Sequence, residues 1–303
     1  MLYTAHFGLH EPPFGLTPDT GFFLPHPRYQ AVLNTLLVAV QSGEGFVKIT
    51  GEVGTGKTLM CRQFMNLLDE RMVTAYLPNP QLAPRALLQA VGAELALPPA
   101  ILSGDEHRLR AALADALLEH ARAGRRVVLC VDEAQAMPLR TLEALRLLSN
   151  LETEKHKLLQ IVLFGQPELD EHLAHPGIRQ LAQRIGFQDR LTPLDRTDLA
   201  DYLAHRLRTA GHPDGRVFGW TARRALLRSS GGVPRLVNIL ANKSLMLCHA
   251  AGRESVRGND VRAAARDTPA ARRLPSPAWR LLASAALLGA SGAGLVACGV
   301  WNP

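Results

Sequence analysis

The sequence predicts an α/β protein: a parallel sheet covered by helices on both faces, followed by a smaller all-helical unit. Three observations predict it. Unbroken apolar runs alternate with amphipathic stretches up to about residue 192, and a strand apolar on both faces is one buried under helices on both sides. A glycine-rich turn, "GEVGTGKT", lies between one such run and a helical pattern. After Pro193 the strand-like runs cease and only helical spacing remains. The chain has 303 residues, 47% of them hydrophobic and 20% charged, which is enough for one large domain or two.

Residues 1–45 form the first segment. "FGLHEPPFGLTPDTGFFLPHP" is rich in Pro, Gly and aromatics and reads as an ordered arm packed on a domain, since disordered arms are poor in Phe and Leu. "YQAVLNTLLVAVQSG" places Val32, Leu33, Leu36, Leu37 and Val40 at helical spacing, ended by Gly43. Residues 46–192 carry the expected sheet. Its strands are "GFVKIT", "VTAYLP", the run from Val127 to Val131, "KLLQIVLFG" and, fifth, "GFQDRL". Helices are expected at about 58–70, 84–96 and 107–123 and in "LRTLEALRLLSNL", whose Leu142, Leu145 and Leu148 read as core. Residues 193–266 are expected to be helical throughout, opening at "DRTDLADYLAHRLRTAG" with Asp195 as N-cap. A proline-bearing linker follows at 267–280.

The stretch from Leu281 to Val300 has no charged residue, and about 20 such residues suffice to cross a bilayer. A membrane helix over 281–301 is the expectation. Trp279 and Trp301 flank it as interfacial residues do, and Arg272, Arg273 and Arg280 precede it, which puts the large domain in the cytoplasm by the positive-inside rule. Met1 to Gly15 lacks the basic head and apolar stretch of a secretory leader. Cys61, Cys130, Cys248 and Cys298 follow no zinc-type spacing and suit a reducing compartment. His172 and His175 have no evident third ligand. From Met1 to Ile178 there are 15 basic and 19 acidic residues, a net of −4; from Arg179 to Pro303 there are 19 and 8, a net of +11. The C-terminal part is expected to face something anionic, such as nucleotide phosphate, lipid or nucleic acid.

The glycine-rich turn carries the chemistry. Gly51, Glu52, Val53, Gly54, Thr55, Gly56, Lys57 and Thr58 fit GxxxxGK[ST], between strand and helix as that motif requires. Glycines let successive amides turn inward onto phosphate oxygens, and a helix N-terminus adds positive potential. Lys57 is expected on the β- and γ-phosphates and Thr58 on Mg²⁺. "VVLCVDEAQ" ends a strand in Asp132 and Glu133. Asp132 is expected to hold the metal, and Glu133 to orient or activate the attacking water. ATP and Mg²⁺ are therefore the expected cofactors.

From about Tyr3 to Asp267 the chain resembles the AAA+ ATPases. More narrowly it resembles the ExeA/GspA group of secretion ATPases, and within that resemblance it is most similar to the MshM-type ATPases of mannose-sensitive haemagglutinin (MSHA) pilus biogenesis. The carriers include "HFGLHEPPFGLTPD", "FVKITGEVGTGKTLMCR", "EALRLLSNLETEK", "LFGQPELD", "LAQRIGF" and "GGVPRLVNILANKSL". The resemblance implies a helical lid over 193–266 and sensor roles for Gln166, at the fourth strand's end, and for Arg235 on the lid. It implies an arginine finger at Arg184, with Arg179 as runner-up, reaching a neighbour's ATP. It also implies a homo-oligomer working with pilus or secretion proteins at the bacterial inner membrane. ExeA-like proteins carry a periplasmic wall-binding region after their span. Here only Asn302 and Pro303 follow Val300 and Trp301, so wall binding is expected to fall to a partner. The competing readings are a nucleic-acid-handling ATPase of the transposition or replication type and a nucleotide-gated scaffold. No aromatic–basic interleaving supports the first, and an intact Glu133 disfavours the second.

Overall fold

The computed structural model describes residues 3–152 and 157–272. The expected membrane helix, most of the linker and Cys298 lie outside them. Among the described residues no helix is long and apolar enough to cross a membrane.

The arm ends in α1 (Pro27–Gln41), and β1 (Phe46–Gly51) leads through the glycine turn into α2 (Lys57–Leu67). β2 (Met72–Leu77) is followed by α3 (Pro84–Glu94), a single turn α4 (Pro99–Leu102) and α5 (Glu106–Arg122). β3 (Arg126–Val131) precedes α6 (Leu139–Leu148), and β4 (Leu159–Gly165) precedes α7 (Glu168–Ala174) and the short α8 (Arg179–Ala182). β5 (Ile185–Leu191) closes a five-stranded sheet of order β2-β3-β4-β1-β5, parallel at every pairing. The expected sheet of five parallel strands is present. β5 is one of the two edge strands, which is why "IGFQDRL" alternates half-buried and exposed residues where the central β3 and β4 are almost wholly buried.

The period-2 geometry of the strands divides the core. Val128 and Cys130 of β3 join Val162 and Phe164 of β4 on one face, while Val127, Leu129 and Val131 join Ile161 and Leu163 on the other. α3, α5 and α6 cover the second face. The first face meets α1 and α2, and its apolar cluster runs on without a break into the helical domain.

That domain comprises α9 (Arg196–Thr209), α10 (Trp220–Ser230), α11 (Pro234–Ala250) and α12 (Gly258–Arg266). α9 opens on a capping box in which Asp195 accepts from the amides of Thr197 and Asp198. Its junction with the sheet is fixed at Gly232, whose carbonyl accepts from the Leu194 amide at 2.9 Å. With φ at +79° and a Cβ position only 2.1 Å from the Leu194 carbonyl, that site admits glycine alone. After α12 the chain stays packed on these helices as far as Arg272: Thr268 and Ala271 are buried, and the Arg272 amide donates to the Ser229 carbonyl at 2.8 Å.

The arm packs on the helical domain. Tyr3, Phe7, Leu9, Phe14 and Phe22 are buried in its cluster, and the His10 amide donates to the Ala210 carbonyl at 2.7 Å. Arg206, only 5% exposed, donates to the Pro13 carbonyl at 2.5 Å and lies over the Phe22 ring at 4.4 Å.

Candidate active site

Register places three strand ends side by side. Thr50 of β1 pairs with Gly165 of β4, and Val131 of β3 pairs with Leu163. The loops leaving β1, β3 and β4 therefore emerge together at the carboxyl edge, where open α/β sheets bind their ligands.

The β1 loop makes a cradle. The first hydrogen bond of α2 runs from the Met60 amide to the Gly56 carbonyl at 2.9 Å, so the amides of Gly56, Lys57 and Thr58 have no intrahelical acceptor, the arrangement that lets a helix N-terminus bind anions. Lys57 is only 4% exposed; its ammonium donates to the Gly51 carbonyl at 2.8 Å and to the Glu52 carbonyl at 3.1 Å. Burial pulls its pKa below the usual lysine value, against the opposing pull of Glu133 and Asp132. Glu52 and Val53 are exposed at the tip of the loop, and the Thr55 hydroxyl closes it on the Glu52 carbonyl at 2.8 Å.

The β3 end brings the acids. The Thr58 hydroxyl donates to Asp132 Oδ2 at 2.6 Å, and the Glu133 amide donates to Asp132 Oδ1 at 3.0 Å. Burial pushes the Asp132 carboxyl up, although both of these donors pull it down. A 3% exposed carboxylate held only by a hydroxyl, an amide and a distant tyrosine is a hard oxygen donor set, and with Thr58 it fits Mg²⁺.

Glu133 sits in the left-handed region at φ 51°, a conformation that costs energy for a residue bearing a Cβ. Its Oε2 accepts from Gln135 Nε2 at 2.6 Å and from Gln166 Nε2 at 3.1 Å. The Gln166 amide in turn donates to Gln135 Oε1 at 2.9 Å. Burial raises the Glu133 carboxyl, but the two side-chain amides and Lys57 outweigh it and leave the pKa below the ordinary glutamate value. Gln135 was not anticipated from the sequence. The one available signal was its position two residues after the acidic pair, at a turn that folds it back onto Glu133.

The helical domain and the arm complete a cleft of about 310 Å³ over the loop. Arg235, at the start of α11, donates its amide to the Gly54 carbonyl at 3.1 Å. A Cβ on Gly54, where φ is +80°, would come within 2.7 Å of the Arg235 Cβ; the fourth position of the loop therefore has to be glycine for the helical domain to approach. Arg235 is exposed and lines the cleft with Lys57, Thr58 and Glu133. Tyr202, Arg206, Asn238 and the arm segment from Gly15 to Asp19 form the remaining wall. Sequence reasoning missed this wall, because it is assembled from segments almost 200 residues apart.

Two expected residues lie elsewhere. Arg184 donates to Ser149 Oγ at 3.0 Å and to Asn150 Oδ1 at 2.5 Å. It directly precedes Ile185, which pairs with Phe46 at the opposite end of β1 from Gly51. Five strand steps separate the two ends, roughly 17 Å, so Arg184 does not reach the cleft of its own chain. Arg179 is exposed on α8 and is also outside the cleft.

Residues 40–173 match the family model described as an AAA domain. Over 301 residues, 99% of its length, the chain is 40% identical to general secretion pathway protein A of Aeromonas hydrophila. It spans 54% of that protein, about half the length of the curated relative it matches. Among solved structures, Cdc6p of Pyrobaculum aerophilum aligns with a TM-score of 0.64 at 19% identity, covering 82% of this chain and 70% of that one. The ORC2 protein of Aeropyrum pernix aligns at 0.61 and 19% identity, over 84% and 73%. The RuvB Holliday junction branch migration motor of Thermotoga maritima aligns at 0.52 and 17%, over 80% and 69%. At such identities the structural likeness carries the fold alone: an α/β AAA P-loop fold on a five-stranded parallel sheet.

Proposed function

We propose that this chain is a Mg²⁺-dependent ATPase of the general secretion pathway A type. Its hydrolysis drives or switches assembly of a type II secretion machine or a type IV, MSHA-like pilus at the inner membrane. The ATPase domain stands in the cytoplasm, residues 281–301 anchor it, and the active form is a homo-oligomer. One observation carries the chemistry: Thr58 and Asp132 meet at 2.6 Å beside the buried Lys57, with Glu133 in the same cleft. The 40% identity to a secretion protein supports the pathway. The origin-recognition and branch-migration structures add no support for a nucleic-acid role, since that likeness extends to the fold alone.

The loop amides and Lys57 hold the triphosphate, and the ammonium exchanges the Gly51 and Glu52 carbonyls for phosphate oxygens. Thr58 and Asp132 would hold the metal, and its charge would offset that of the β- and γ-phosphates. Glu133 is ionised at neutral pH. Its Oε2 is engaged by Gln135 and Gln166, which leaves Oε1 to orient a water and accept its proton. Gln166, bonded to Glu133, is placed to relate the γ-phosphate to the base. Arg235 reports nucleotide to the lid, and Arg184, at the far end of β1, serves a neighbouring chain's site.

Lys57→Ala is expected to abolish measurable ATP affinity and turnover. Glu133→Gln is expected to keep affinity while lowering kcat by about 100-fold or more. Isothermal titration and steady-state phosphate release test both. Unchanged ATP affinity in Lys57→Ala overturns the site assignment.

A further inference from the structure

A second cleft, of about 680 Å³, opens on the helical domain between α9 and α10 and shares no lining residue with the cleft over the glycine loop. Arg196, Arg223, Arg224 and Arg228 line it against a single acidic residue, Asp201. All four arginines are exposed, and none of their guanidinium groups makes a hydrogen bond or ion pair with another described residue. Trp220 stands beside them, 52% exposed, with the Arg224 guanidinium 5.3 Å from its ring centre.

The pattern is built into α10. Trp220, Arg223, Arg224, Leu227 and Arg228 fall at i, i+3, i+4, i+7 and i+8, one outward face of the helix. Ala222, Ala225, Leu226, Ser229 and Ser230 fill the buried face. An outward stripe of arginines around a large aromatic is the composition of helices that lie in an anionic interface, where the cations meet headgroup phosphates and the indole enters the acyl boundary. Unpaired like charges in one cleft repel, and a negative surface relieves that repulsion.

We propose that this face docks the helical domain onto an anionic phospholipid bilayer. The position of the chain's exit favours a membrane over other polyanions. The Arg272 amide is bonded to the Ser229 carbonyl, at the C-terminal end of α10. Eight residues, 273–280, separate Arg272 from Leu281, a reach of at most about 30 Å. A bilayer holding the uncharged stretch therefore lies within that distance of Arg272, at the C-terminal end of the helix that carries the arginine face. Only this reach argument rests on the membrane reading of 281–301; the face itself consists of described residues.

The test uses the full chain with Trp279→Phe and Trp301→Phe, which leaves Trp220 as the only one of its three tryptophans. Vesicles of phosphatidylcholine, with and without phosphatidylglycerol, are titrated while Trp220 emission and its quenching by brominated lipid are followed. The expected result is a blue shift and quenching on the anionic vesicles alone, reversed by salt. Each basic residue near such a surface contributes about a fivefold gain in affinity. Arg223→Glu, Arg224→Glu and Arg228→Glu together should therefore weaken the Trp220 response by roughly 100-fold or more. Lipid-free ATP turnover in this variant, expected unchanged, controls for folding. An equal response to both vesicle types, or an unchanged response in the charge-reversed chain, overturns the proposal. Vesicle sedimentation with a silent Trp220 overturns it too, while leaving the anchor reading of 281–301 intact. So does displacement of the anionic vesicles by an oligonucleotide that itself shifts Trp220, which assigns the face to nucleic acid.

Discussion

Arg206→Met tests how far the arm belongs to the nucleotide site. The substitution keeps an apolar stem and removes the guanidinium. What is lost is the 2.5 Å bond to the Pro13 carbonyl, a long contact to the Gly15 carbonyl and the cation–π contact with Phe22. A short bond from a charged donor is worth about 1.5–3 kcal/mol, and a desolvated cation–π contact about 1 kcal/mol. Releasing a buried charge from its desolvation offsets part of this, leaving a net loss of about 2–3 kcal/mol. At about 2–4 °C per kcal/mol for a unit of this size, Tm should fall by roughly 5–10 °C. The arm is not freed entirely, because Asn238 Nδ2 still donates to the Gly15 carbonyl at 3.2 Å. Since Gly15 to Asp19 wall the cleft, KM for ATP should rise about 5–10-fold, or roughly 1 kcal/mol. kcat should change little, because Lys57, Asp132 and Glu133 are undisturbed. Thermal unfolding with and without nucleotide, paired with steady-state kinetics, reads both quantities. A full loss of Tm with unchanged KM would show that the arm only braces the lid; no change in either would refute the energetics argued from these contacts.

Gln135→Leu removes a donor from the Glu133 carboxylate and the acceptor of the Gln166 amide. Losing a donor favours the neutral acid, so the Glu133 pKa should rise towards the ordinary glutamate value. The acid limb of the kcat–pH profile should move up with it, and an unmoved limb would show that Gln135 does not tune the base. In the helical domain, Asp260 accepts from Arg253 at 2.6 and 2.9 Å and from the Arg257 amide at 2.8 Å. Burial raises its carboxyl, but these partners prevail and hold it below the ordinary aspartate value. A depressed carboxylate stabilises the fold above its unfolded-state pKa, and that stabilisation is lost as pH falls through the folded-state value. Asp260→Asn should therefore cost about 2–3 kcal/mol at pH 7, with the difference from the parent shrinking in denaturant titrations at successively lower pH; a pH-independent difference would assign the loss to packing.

The parallel sheet could be read directly because its inner strands carry their burial in their composition. Val127 to Val131 is apolar at every position, and only a strand covered on both faces tolerates that. β5 was the weakest of the five in sequence, since an edge strand is half solvated and alternates. The four-residue helices α4 and α8 carry too few turns for a periodic signal, and packing supports them rather than pattern.

The glycine loop, Lys57, Thr58 and the Asp132–Glu133 pair were legible in the sequence alone as candidates, because the phosphate and metal chemistry proposed for them demands particular residues at short local spacing. The clamp on Glu133 and the arm's wall were decided only by tertiary structure. Gln135 acquires its role by turning back towards Gln166, 31 residues on, and Arg206 meets the Pro13 carbonyl across 193 residues. Contacts of that sequence separation leave no local period or motif, because they exist only once the sheet order and the docking of the helical domain have brought those segments together.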